Sequence, residues 1–144
     1  MKRSKNMNQV SKLVKLKNKI DKSYLSQLEL AAKTQHYATD IQKSVFYTLM
    51  NSEDYLDAFQ NIKKLGLKKK QERDIVKVII QCCVQEKVYN KYYALILRKL
   101  CDDNKMLQYS CKYTLWDYIS PQQFENLSLR KIVNLAKIYG HLFR

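Results

Sequence analysis

Catalysis and metal binding draw on a short list of side chains, and few of them fall together in this sequence. The two histidines, His36 and His141, lie far apart and stand in no zinc-binding pair, so both read as structural or surface residues. Four cysteines, Cys82, Cys83, Cys101 and Cys111, sit in apolar helical sequence without a C-x-x-C spacing. A reactive thiolate needs an electropositive, accessible setting, whereas Cys82 and Cys83 are flanked by isoleucine and valine and read as core. Reduced, buried thiols suit the cytosol or nucleus. Glu53, Asp54 and Asp57 could in principle hold a metal or exchange a proton, but they crowd the start of an expected helix, where the backbone dipole already favours carboxylates. There is no G-x-S-x-G and no phosphate-binding glycine loop. The expectation is a chain with no catalytic, cofactor-binding or metal-ligating residues, and not an enzyme.

The residues that remain able to do chemistry are cations and aromatic rings. The formal net charge is +14, and half of it comes from the first 22 residues, where Lys2, Arg3, Lys5, Lys12, Lys15, Lys17, Lys19 and Lys22 face Asp21 alone. A field of that sign favours RNA or an acidic partner, with steep screening by salt. Met1-Lys2-Arg3-Ser4-Lys5 also reads as a weak nuclear or nucleolar address. A second cluster, Lys63, Lys64, Lys68, Lys69, Lys70 and Arg73, surrounds an expected turn and could meet phosphate. Eleven tyrosines in a basic chain raise single-stranded RNA binding by stacking. Against that, Tyr47, Tyr55, Tyr93, Tyr109 and Tyr113 fall in or beside apolar helical stripes, which predicts buried rings with wet hydroxyls.

These groups must be positioned by helices. Two glycines and one proline are too few for the turns of a sandwich, barrel or doubly wound sheet, and 144 residues make one domain with a tail. No signal peptide is read, and the densest apolar stretch, Ile75 to Val84, is interrupted by Lys77 and Gln81 and too short to span a bilayer. Residues 1 to 35 form the basic tail, with loosely spaced apolar residues from Val10 to Ile20 and an early short helix over Ser23 to Ala32. Thr39 is placed to cap a helix with an inward face of Ile41, Val45, Phe46, Leu49 and Met50. Ser52 is expected to cap the next, which carries Tyr55, Ala58, Phe59 and Ile62 and stops at Gly66.

From Lys69 to Lys87 apolar residues cover more than one face, so that helix needs neighbours on two sides. Asn90 caps a helix through Cys101, and another runs from Lys105 to Ile119 with Leu107, Cys111, Leu115, Trp116 and Ile119 inward. Ser120-Pro121-Gln122-Gln123 reads as the start of a last helix that carries Leu129, Ile132, Val133, Leu135, Ala136 and Tyr139. Short connections predict an all-α, HEAT-like stack of helical hairpins with one helix enclosed.

Two blocks point further. Thr39-Asp40-Ile41, Val45 to Met50, Ser52-Glu53-Asp54-Tyr55-Leu56-Asp57-Ala58-Phe59 and Leu65-Gly66-Leu67 resemble the opening helices of an MI (MA-3) domain. Gln71 to Ile75, Cys82-Cys83-Val84-Gln85-Glu86-Lys87 and Tyr89-Asn90 before Tyr92-Tyr93-Ala94 resemble the version in nucleolar proteins that also carry a middle-of-initiation-factor-4G domain. The resemblance covers residues 36 to 144 and implies a HEAT-like interaction domain without catalysis. By that resemblance it serves small-ribosomal-subunit assembly and pre-rRNA processing in the nucleolus, beside pre-ribosomal proteins and a DEAD-box helicase of the initiation-factor-4A kind. It places Glu125 at a helicase contact. It also implies a domain that runs on past Arg144, so the chain reads as truncated at its C-terminus, and the middle domain lies outside these residues. A spliceosomal CWC-type factor shares the Cys-Cys and tyrosine stretch with Asn134-Leu135-Ala136-Lys137 and His141-Leu142. A pre-mRNA splicing scaffold is therefore one alternative, and a stand-alone RNA-binding protein is another.

Overall fold

The structure, a computed structural model, describes residues 39–143 together with Gln27 and Leu30, both helical and inside the expected early helix. The rest of residues 1 to 35, with the loosely spaced apolar residues from Val10 to Ile20, and His36 lie outside the described residues.

Seven α-helices follow in order: α1 (Asp40–Asn51), α2 (Tyr55–Lys64), α3 (Glu72–Gln85), α4 (Lys91–Asp103), α5 (Met106–Ile119), α6 (Pro121–Phe124) and α7 (Leu129–Leu142), with a 3-10 turn over Lys69–Gln71 before α3. Side chains close several helix starts. Thr39 Oγ1 accepts from the Gln42 N–H at 3.1 Å and Asn90 Oδ1 from the Tyr92 N–H at 3.0 Å, as their positions predict. The α2 cap is Asp54 rather than Ser52: Asp54 Oδ1 accepts from the Asp57 N–H at 2.8 Å, while Asp57 accepts from the Glu53 N–H at 3.0 Å. The Ser52 hydroxyl instead donates back to the Thr48 carbonyl at 2.6 Å, helping to close the end of α1. Helix α2 ends at Leu65, and Gly66 takes φ +62, the left-handed conformation that glycine adopts without a Cβ penalty.

The start of the last helix also differs from expectation. Pro121 does stand at the first position of a helix, but that helix is the single turn α6, and the Ser120 hydroxyl donates backward to the Asp117 carbonyl at 2.9 Å instead of capping it. Helix α7 begins afresh after Ser128, whose hydroxyl accepts from the Lys131 N–H.

Helix α3 is the enclosed one. Ile75, Val76, Val78, Ile79, Ile80, Cys82, Cys83 and Val84 are all buried, and α1, α4, α5 and α7 pack around it. Each aliphatic side chain so buried contributes roughly 1.5–3 kcal/mol, which makes α3 the organising element of the core. Helices α1, α3 and α5 lie side by side on one level, with α2, α4 and α7 on the other, the two-level stack of a HEAT-like domain. The third pair is splayed: α7 packs mainly on α3 and α4, and is tied to α5 by the Tyr139 hydroxyl donating to the Cys111 carbonyl at 2.6 Å.

That splay corrects the expected inward face of α5 and sets that of α7. On α5, Leu107, Cys111 and Thr114 are buried, whereas Trp116 and Ile119 face outward together with Tyr109 and Tyr113. On α7 the buried set is Asn134, Leu135, Ile138 and Tyr139, while Leu129, Val133 and Ala136 are exposed. Asn134 faces inward because its amide has a task there. It donates to the Glu86 carbonyl at 2.8 Å and the Val84 carbonyl at 3.4 Å, groups that the end of α3 leaves without helical partners.

Candidate interaction surfaces

Titratable groups that might suggest an active site are held in structural work. Asp54 and Asp57 are engaged by backbone N–H groups at the start of α2. Burial, then the charge of Glu86, pushes the Cys83 thiol up to about 12, so it stays protonated and unreactive. Cys101 and Cys111 lie with sulfurs 3.7 Å apart inside the core; the hydrogen bond they share, followed by burial, raises the Cys111 thiol far above its ordinary value. Tyr92 and Tyr93 are latches, their hydroxyls donating to the Leu49 carbonyl at 2.6 Å and to Glu86 Oε1 at 2.7 Å.

Where the surface offers something to a partner is on α5 and α7. Helix α5 is apolar on two opposite faces: one packs on α3, and the other presents Met106, Tyr109, Tyr113 and Trp116 at i, i+3, i+7 and i+10. Trp116 is 62% exposed, Tyr109 56% and Tyr113 53%, far from the buried rings that their positions in an apolar stripe predict. Cations stand over two of these rings. The Arg73 guanidinium lies 5.7 Å from the centre of the Tyr113 ring and the Lys112 ammonium 5.6 Å from that of Tyr109, while Trp116 meets Tyr113 edge-on at 5.8 Å.

Arg73 reaches across because the 3-10 turn and the first turn of α3 lie opposite α5. Between them runs an open groove of about 710 Å³ walled by Lys69, Glu72 and Arg73 on one side and by Met106, Tyr109, Ser110 and Tyr113 on the other. The fold thus unites part of the basic cluster with two of the tyrosines. Glu72 is the one acidic side chain of this lining, and one of its carboxylate oxygens already accepts from Asn104 Nδ2 at 3.1 Å.

The rest of the cluster divides. Lys63 is drawn away, its ammonium 3.2 Å from Asp103 Oδ1 and 5.2 Å from the centre of the Phe59 ring. Lys64, Lys68 and Lys70 are exposed around the α2–α3 turn. Of the tail cations, Lys2, Arg3, Lys5, Lys12, Lys15, Lys17 and Lys19 lie outside the described residues. Glu125 follows α6, exposed, on an edge where Phe124, Leu129 and Val133 are exposed as well, Leu129 at 77%. This apolar and acidic edge is separate in composition from the basic, aromatic groove. Neither surface could be read from single-helix periodicity, although the three rings and Met106 at helical spacing were a second stripe in plain sequence.

Known proteins share this arrangement of sequence. Residues 41–144 match the MA3 domain model. With nucleolar MIF4G domain-containing protein 1 of Mus musculus the chain is 45% identical over 117 residues, 81% of this chain and 13% of the relative. Suppressor of glycerol defect protein 1 of Schizosaccharomyces pombe is 37% identical over 123 residues, 81% of this chain and 16% of the relative. Pre-mRNA-splicing factor CWC22 of Debaryomyces hansenii is 39% identical over 123 residues, 81% of this chain and 19% of the relative. The chain spans less than a fifth of the length of each of these relatives. With stacked helical pairs around an enclosed α3 and a family match across nearly every described helix, the chain belongs to the MA3 domain family.

Proposed function

We propose that this chain is a non-catalytic docking module that serves small-ribosomal-subunit assembly and pre-rRNA processing in the nucleolus. The observation that carries the reading is its 45% identity to a nucleolar relative over 117 residues, 81% of the chain. Use of the carboxylates as caps and of the cysteines as core supports binding rather than catalysis. In this reading residues 1 to 35 are a basic tail and 36 to 144 the docking domain. The edge around Glu125, with Phe124, Leu129 and Val133, engages pre-ribosomal proteins and an initiation-factor-4A-like DEAD-box helicase. Exposed apolar side chains there supply contact area and Glu125 supplies orientation. The tail lysines add RNA affinity without sequence preference.

A splicing role is the second reading, favoured by the 39% identity to a splicing factor. Affinity purification of the full chain from nuclear extract, washed at moderate salt, separates the two. Recovery of small-subunit assembly factors and a DEAD-box helicase is the expected result. Recovery of spliceosomal proteins in their place would transfer the module to the second reading, and recovery of RNA alone would overturn both.

A further inference from the structure

The groove between the Lys69–Gln71 turn and α5 has a composition that protein docking does not require. Its outer wall carries Met106, Tyr109 and Tyr113, and the aromatic stripe continues past the groove to Trp116, edge-on to Tyr113; all three rings are more than half exposed. Tyrosine and tryptophan join an apolar ring to a polar edge, as suits partners that are flat and polar at the rim. Lys69 and Arg73 rise on the opposite wall, and Lys112 flanks the stripe. The cations are already held near the ring faces, so a planar group stacked on a ring would lie beside a positive charge.

We propose that this groove binds single-stranded RNA, with Tyr109, Tyr113 and Trp116 stacking bases and Lys69, Arg73 and Lys112 meeting the phosphates. Charge complementarity selects the occupant: Lys69 and Arg73 stand in the lining, Lys112 lies over the Tyr109 ring beside it, and the one carboxylate in the lining is turned to Asn104. Aromatic stacking combined with a cationic track is the physical recipe for single strands, because bases locked in a duplex cannot offer their faces. From Tyr109 to Trp116 the helix rises on the order of 10 Å at 1.5 Å per residue, the length of roughly three bases at a 3.4 Å stacking rise. The proposal is independent of which assembly the module serves, and the site is distinct from the tail.

The single tryptophan of the chain provides a direct reading. The full chain is titrated with fluorescently labelled oligouridine, following both the probe's anisotropy and the fluorescence of Trp116. Stacking predicts quenching of Trp116 that saturates together with anisotropy. Replacing both Tyr109 and Tyr113 with alanine is expected to weaken binding on the order of ten-fold or more, with an unchanged circular dichroism spectrum and melting temperature. Tyr113→Phe, which retains the ring, keeps most of the affinity and guards against a variant that fails to fold. Substituting the tail lysines should reduce affinity and its salt dependence while leaving the Trp116 quenching at saturation intact. Saturable binding without a change in Trp116, equal affinity for duplex RNA, or a folded double-alanine variant that binds as tightly as the wild type would overturn the proposal. So would a double-alanine variant that loses a recovered protein while retaining RNA, which would assign the groove to a protein partner.

Discussion

Asn134→Ala tests the join between the last helix and the rest of the fold. Asn134 is 2% exposed, and its amide donates at 2.8 Å to the Glu86 carbonyl and at 3.4 Å to the Val84 carbonyl, at the C-terminal end of α3. Alanine removes both donors and leaves a small void. A buried carbonyl left without a partner costs about 1–3 kcal/mol, and the longer bond to Val84 adds little. The substitution is therefore expected to destabilise the domain by roughly 2–3 kcal/mol. At about 4–8 °C per kcal/mol for a domain of this size, the melting temperature should fall on the order of 10–20 °C. Thermal and urea unfolding followed by circular dichroism measures it, with the urea slope unchanged if the loss lies in the native state.

Two further substitutions fix the register of α7 in the same assay. Ile138→Ala, at a fully buried position, should cost about 2–5 kcal/mol. Leu129→Ala, at an exposed one, should stay within about 0.5 kcal/mol of wild type. If Asn134→Ala melts with the wild type, or if Leu129→Ala costs as much as Ile138→Ala, the assigned inner face of α7 is wrong.

Other consequences follow from the same packing. Cys82, Cys83 and Cys111 are buried and should resist a thiol reagent at mildly alkaline pH until the chain is unfolded, as counted by intact mass after labelling. Stability should fall as pH rises. Cys83 is raised from 9.0 to about 12, and Tyr92 and Tyr118 from 10.0 to about 12, each chiefly by burial, so the unfolded chain loses these protons first. Their contribution is intact below pH 9 and is lost progressively between about 9 and 12, which urea midpoints across that range would record. Gly66→Ala should destabilise by roughly 1–2 kcal/mol, since φ is +62 and no neighbour crowds the added Cβ, leaving backbone strain as the whole cost.

Much of this architecture is legible in the amino-acid sequence. The helices were set by apolar spacing, and the two-sided pattern of Ile75 to Val84 announced an enclosed helix. Thr39, Asn90 and Gly66 marked boundaries because each acts on the backbone within a few residues of itself. Asn134 was beyond such reading: the carbonyls it satisfies lie 48 and 50 residues away in sequence, so nothing local explains a buried amide. Helix α5 misled because it carries two apolar stripes, and periodicity cannot say which one the core takes. The tertiary arrangement decides, since α7 settles on α3 and α4 and leaves the aromatic stripe of α5 uncovered. Ser120-Pro121 started a helix as its chemistry dictates, but one turn long, with Ser128 opening the next. The resemblance to the MI domain brought Glu125 forward, whereas the basic and aromatic groove emerged only when the fold set Arg73 over Tyr113.

In the proposed division of labour, two surfaces serve two kinds of partner. The most direct measurement compares Glu125→Lys with the double charge reversal Lys69→Glu and Arg73→Glu in the full chain, reading oligouridine affinity and protein recovery from nuclear extract side by side. The predicted result is a separation: Glu125→Lys loses helicase and assembly proteins with RNA affinity retained, and the groove variant loses RNA with those proteins retained. Equal loss of both partners in both variants, with folding intact, would contradict it.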